Sequence, residues 1–261
     1  AIDPLTKGFW GGFQEVNNSM TIEADSGPFT LRENTLRINP TGTMNLPGDG
    51  ILDIAAFTAT LENQGLVQKT GGTGDFVIDV VFENNGGTIN VGSGNLVLMV
   101  STVLADGVCN VSSGASIIST ATTQVIGTLT GLLDGPLVLQ ASIRAPIGDT
   151  AIFNFTGSTQ VEWAGGQMGF GDFINEGLIT VTGTSPSNNT ISGSTLWNNG
   201  VIDVLSKEYI TIANSGVLHN TALGSINLLD SNLFNSSFSG LLLNEGLISK
   251  AASGVNADIR C

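Results

Sequence analysis

One short phrase recurs along the chain: an apolar residue, any residue, Asn, any residue, Gly, any residue, then Ile, Val or Leu. It is complete at residues 61–67 (LENQGLV), 173–179 (FINEGLI), 196–202 (LWNNGVI), 212–218 (IANSGVL) and 242–248 (LLNEGLI), and at 82–89 (FENNGGTI) it carries one extra residue. Such recurrence marks a stacked repeat architecture, in which each unit leaves an apolar face that only its neighbour can cover. The starts at Leu61 and Phe82 lie 21 residues apart and those at Phe173 and Leu196 lie 23 apart, the length of one coil of two or three short strands with their turns. Later intervals of 16 and 30 residues predict coils of varying length in the C-terminal part.

The text around the phrase reads as strands. Residues 29–38 (FTLRENTLRI), 42–54 (GTMNLPGDGILDI) and 59–72 (ATLENQGLVQKTGG) are short alternating apolar segments broken by Gly, Asn, Asp and Pro, with period-two pairs such as Leu36 and Ile38 or Met44 and Leu46. No helical period is sustained over eleven residues. Between Val91 and Phe173 the phrase fades while the alternation persists, and only residues 145–149 (APIGD) resemble a linker. One continuous all-β domain is therefore expected: an N-terminal cap over residues 1–28, holding the aromatic cluster 8–13 (GFWGGF), and a parallel β-solenoid of about ten coils over residues 29–261.

Within the phrase, Asn and Gly suit sharp corners, because Gly permits positive φ freely and Asn tolerates it. In coils stacked in register, equivalent Asn residues lie about 4.8 Å apart and can hydrogen-bond into a ladder. The candidates are Asn63, Asn84, Asn175, Asn198, Asn214 and Asn244, with Gly65, Gly86, Gly177, Gly200, Gly216 and Gly246 turning the corners. Phe173, Ile179 and Val181 should then feed the core while Glu176 faces water.

Composition narrows the partners. Charged residues make up 11 % of the chain, against roughly 25 % in an average soluble protein, so Ser, Thr, Asn and Gly must cover the surface. The net charge of −14, without any run of Lys or Arg, disfavours nucleic acid and anionic membrane as partners. The longest apolar stretch, around residues 95–105, is far short of the roughly 20 residues of a spanning helix, so no membrane span is expected. The chain opens at Ala1 with no basic and apolar leader pattern, which reads as a mature or excised form.

The run at residues 61–98 (LENQGLVQKTGGTGDFVIDVVFENNGGTINVGSGNLVL), with NVSSGASI at 110–117 and VEWAGGQMGFGDFINEGLITVTG at 161–183, resembles the repeats of large secreted and cell-surface β-solenoid proteins of the filamentous-haemagglutinin and adhesin type. The resemblance covers roughly residues 30–250. It implies a right-handed parallel β-helix and a role in display, adhesion or surface structure, and it supplies no catalytic residue.

The chemistry of the residues agrees with a non-enzymatic role. A polygalacturonase-like site would want Asn-x-Asp, an Asp-Asp pair, Gly-His-Gly and Arg-x-Lys, and none of these occurs. The basic residues are scattered singly, and His219 is the only histidine. Calcium is the one cofactor that turn carboxylates bring into consideration, but the nonapeptide that would carry it has a single partial echo, residues 71–75 (GGTGD), which reads as a turn. No metal site and no cofactor is expected. Trp197 and Trp163 are the ligand-contact candidates, as aromatics that could stack on a glycan or other surface ligand. Alternation turns Trp197 outward, opposite Leu196, whereas Trp163 reads equally well as a packed corner.

Cys109 and Cys261 are separated by about seven coils, on the order of 30 Å at 4.8 Å per coil, too far for the roughly 7 Å of a disulfide. Cys261 could instead join a second subunit. The expected role is an extracellular or cell-surface rod or adhesion module, with a homo-oligomeric filament built by end-to-end coil stacking as the alternative.

Overall fold

A computed structural model describes residues 2–3, 8–10, 13–21, 29–32, 35–54, 59–183, 189–205, 209–229, 233–237, 239–251 and 258–260. All regular structure among them is β-strand, and parallel pairing between coils makes the chain a β-solenoid of about nine turns. It falls into two compact units, residues 1–122 with 130–137, and residues 123–129 with 138–261.

In the first unit each coil contributes three strands. One face stacks Gly8–Trp10, Phe29–Arg32, Gly50–Ile54, Asp75–Ile78, Asn95–Leu98 and Ser116–Ser119, so five turns separate its first and last rungs. The second face runs from Gln14–Val16 through Thr35–Ile38, Thr60–Asn63 and Val81–Asn85 to Thr102–Ala105. The third runs from Ser19–Thr21 through Thr43–Leu46, Leu66–Lys69 and Thr88–Val91 to Val108–Val111. Every paired step joins equivalent residues without a slip, for instance Leu36, Leu61 and Phe82 in one column. Alternation in the sequence becomes alternation in depth: Leu36, Ile38, Met44, Leu46, Leu61 and Val67 are fully buried while their strand neighbours Arg37, Asn45, Glu62 and Gln68 reach solvent.

The strands Gly8–Trp10, Gln14–Val16 and Ser19–Thr21 lie in the stretch expected as a cap, and each pairs in parallel with the following coil. Ile2–Asp3 pairs antiparallel with Gly8–Trp10. The remainder of the expected cap, residues 1, 4–7, 11–12 and 22–28, lies outside the described residues.

The second unit uses the same plan with longer strands at its start. Ile143–Thr156 pairs with Gln167–Asn175 across a bulge between Ala145 and Thr150. Val161–Trp163, Leu178–Val181, Val201–Val204, Ser225–Leu228 and Leu247–Lys250 stack as one face over four turns. Phe153 and Phe173 stack with centroids 6.4 Å apart in the core. Phe173, Ile179 and Val181 are fully buried and Glu176 is exposed, the arrangement read from the repeat phrase.

Candidate functional site

The repeated polar residues come first, because their placement decides which side chains remain for binding. Asn63 Nδ2 donates to Asn84 Oδ1 at 2.6 Å and to Thr88 O at 3.1 Å, and Asn84 Nδ2 donates to Gly87 O. In the second unit Asn175, Asn198, Asn220 and Asn244 form one continuous ladder, with successive Nδ2 to Oδ1 distances of 2.8, 2.8 and 2.7 Å. Each of the first three also donates to a carbonyl of the next coil, Val201, Ser225 and Leu247 respectively. Asn63, Asn84, Asn175, Asn198 and Asn220 are fully buried, and these bonds are what make a buried amide tolerable.

Asn214 departs from the expectation. It stands at an exposed turn with φ of 50° and donates to Ser192 Oγ, outside the ladder. Asn220 takes its place. The sequence hid Asn220 because its partner glycine, Gly224, follows four residues later rather than two.

The glycines are also corrected. Only Gly86, with φ of 75°, uses the left-handed region; Gly65, Gly177, Gly200, Gly216 and Gly246 do not. They are glycine because a Cβ would strike the carbonyl of the coil beneath: 2.1 Å from Gly177 O at Gly200, and 2.2 Å from Asn39 O at Gly65. The extra residue in the phrase at 82–89 separates two tasks. Gly86 takes the positive φ, and Gly87 makes the close approach, its Cβ position lying 2.5 Å from Asn63 Nδ2.

The partial calcium echo is a closed polar knot. Lys69 lies between Leu46 and Val91 in register, fully buried, and its ammonium donates to Gly71 O at 2.6 Å and Asp49 Oδ1 at 3.1 Å. Gly74 N also binds the Asp49 carboxylate. The Lys69 hydrogen bond holds the Asp49 carboxyl below the usual carboxylate range. The positive charge in this turn is thus the protein's own. On the neighbouring face Arg37 Nε meets Glu62 at 2.7 Å. Burial would raise the Glu62 pKa, but hydrogen bonds from Arg37, Asn85 and Gln64 outweigh it and leave the carboxyl lowered. Among the described residues no group of three or more His, Cys, Asp or Glu side chains gathers as a metal site.

The two tryptophans separate. Trp163 is fully buried, so it packs a corner and cannot contact a surface ligand. Trp197 is 37 % exposed on an outward column that runs in register from Ile174 through Trp197 and His219 to Leu243. Its ring lies 4.6 Å from the His219 ring at 41°. His219 Nε2 approaches Glu245 Oε1 to 3.3 Å without the alignment of a hydrogen bond. Along this column the exposed indole and leucine are thus separated by an imidazole that is mostly covered.

A second cluster was not legible in the sequence. Phe170 pairs in register with Ala145, which points inward and is buried, yet Phe170 is 52 % exposed. Its φ of 81° turns the side chain out, a conformation that costs a bulky residue about 1–3 kcal/mol. The Arg144 guanidinium sits 4.8 Å above the Phe170 ring. Ser142, Arg144, Gln167, Gly169 and Phe170 line a cleft of about 120 Å³. Gln167 and Phe170 also line a more open one of about 320 Å³ with Ile147, Ser192 and Gly193.

Cys109 is a buried free thiol whose pKa burial pushes up to about 12, so it is an inert core residue. Cys261, and with it the expectation about a bridge or a subunit link, lies outside the described residues.

Compared with protein-family models, curated proteins and solved structures, the chain matches none.

Proposed function

We propose that the protein is a non-enzymatic adhesion module, of the secreted or cell-surface kind its repeats resemble, in which the solenoid holds a lateral face against a saccharide. The observation that carries this reading is Trp197, an aromatic left partly in water on a strand paired on both sides. An indole in that setting offers an apolar platform to a sugar ring at little ordering cost, because its backbone is already fixed. Around it the phrase residues are spent on ladders and close approaches, while Trp197 and, two rungs along the same column, Leu243 face solvent with the mostly covered His219 between them.

A glycan array with purified protein tests this: saccharide-specific retention by wild type is expected, and an array without a hit contradicts it. A panel of polysaccharides incubated with the protein should release no new reducing ends or unsaturated products. Antibody against the chain should label intact cells or detect it in culture medium, whereas purely internal staining would contradict the placement.

The exposed leucines Leu241, Leu243 and Leu247, on consecutive strands of two different faces, favour a second reading, a filament built from copies of the chain. Concentration-dependent sedimentation with fibres on a grid would support it, and a monomer at all concentrations would dismiss it.

A further inference from the structure

We propose that the cleft beneath Phe170 and Arg144 is a second saccharide site, selective for sugars that carry a carboxylate. The proposal rests on the reading of the protein as a saccharide-binding module but not on Trp197.

Three observations meet there. The first is the outward Phe170, held at a φ that the strand would avoid and that burial would have favoured reversing, since its register partner Ala145 is in the core. A strained backbone that exposes an aromatic points to use of that aromatic. The second is Arg144. In a chain of net charge −14 it has no carboxylate within 4 Å among the described residues, and the Phe170 ring is its neighbour instead. A guanidinium braced on an aromatic face keeps its fork open for a bidentate carboxylate. The third is the lining. The Gln167 amide and Ser142 hydroxyl stand on the cleft wall, and Gly169 opposite Arg144 keeps the floor open, since a Cβ there would lie 2.8 Å from Gln167 Nε2.

Aromatic face, guanidinium and neutral hydrogen-bonding groups together match the apolar ring face, carboxylate and hydroxyls of a uronic-type sugar. The cleft that Arg144 lines is about 120 Å³, room for a carboxylate rather than a whole ring, and it shares Gln167 and Phe170 with the more open cleft of about 320 Å³, which is at the lower end of small-molecule sites, about 300–1,000 Å³, and suits the ring itself. An extended peptide fits less well. Strands 143–145 and 190–192 pair on either side of residues 167–170, so no free edge remains there for an added strand.

The test is calorimetric titration at about 0.15 M salt with a glucuronate-containing oligosaccharide, its carboxyl-reduced counterpart, and an oligoglutamate peptide. Wild type should bind the first and lose at least about tenfold in affinity for the second, the scale of a charge-assisted hydrogen bond. Arg144→Gln should weaken uronate binding about tenfold or more with an unchanged melting temperature, because Arg144 is exposed. Phe170→Gly should abolish binding while raising the melting temperature, since glycine accepts the positive φ. Trp197→Ala should leave uronate binding intact. Absence of uronate binding, equal binding of the carboxyl-reduced sugar, or equal binding of oligoglutamate would each overturn the proposal. Loss in Trp197→Ala with retention in Arg144→Gln would overturn it while leaving the adhesion reading in place.

Discussion

Replacement of Asn198 by alanine probes the ladder at its best-connected rung. The Asn198 side chain accepts from Asn175 Nδ2 at 2.8 Å and donates to Asn220 Oδ1 at 2.8 Å and Ser225 O at 3.0 Å, and it is fully buried. Each bond contributes a net of about 1 kcal/mol. Deletion also leaves Asn220 Oδ1 without its donor inside the core, a desolvation cost of about 1–3 kcal/mol. Together the expected loss is about 4–6 kcal/mol. Asn244→Ala is the matched control, because Asn244 is exposed and the Asn220 Nδ2 that it accepts from keeps Leu247 O at 3.1 Å. Its expected cost is about 1 kcal/mol or less. Urea unfolding followed by circular dichroism and by tryptophan fluorescence measures both, with coincidence of the two probes checking that a single transition is being read. Equal losses for the two variants, or a loss under about 1 kcal/mol for Asn198→Ala, would refute the claim that buried amides lock successive coils.

Gly200→Ala should destabilise by about 3 kcal/mol or more, since backbone must move away from a Cβ 2.1 Å from Gly177 O, whereas Gly86→Ala has open space and should cost about 1–2 kcal/mol for its φ of 75°; thermal melts showing the reverse order would contradict the close-approach reading. Asp49 and Glu62 both have lowered folded-state pKa values, so their contribution to stability is complete above about pH 5 and fades as pH falls through those lowered values. Arg37→Gln should flatten the fall in urea midpoint between about pH 5 and 3, and an unchanged slope would remove Glu62 from the account. In a Cys261→Ser background, the Cys109 thiol should react with an aromatic disulfide reagent at pH 8 only as fast as the protein unfolds, and prompt reaction would show that it is accessible.

The fold was legible because its cause is periodic. Alternation at Leu36, Ile38, Met44 and Leu46, and one phrase returning after 21 and 23 residues, leave few alternatives to stacked parallel strands. The ladder was legible in part for the same reason: Asn63 with Asn84 and Asn175 with Asn198 keep the phrase spacing, while Asn220 breaks it and Asn214 keeps it on a turn that points outward. The role of the glycines was misread because spacing shows that a residue must be small without showing whether φ or a neighbouring coil demands it. Phe170 could not be read at all. Alternation assigns it inward with Ala145, and only a backbone conformation that contradicts its residue type turns it to solvent. Trp163 and Trp197 are alike in composition and differ by their place in register, one enclosed and one on an outer column.

Repeated residues build the coils and, in the proposed function, unrepeated ones bind, so that two neighbours on one strand, Asn198 and Trp197, have different tasks. The most direct test is retention of Trp197→Ala on a carboxylate-free glycan that wild type selects, read beside its melting curve. Lost retention is expected, with a melting temperature within a few degrees of wild type. Undiminished retention by Trp197→Ala would contradict the proposed function.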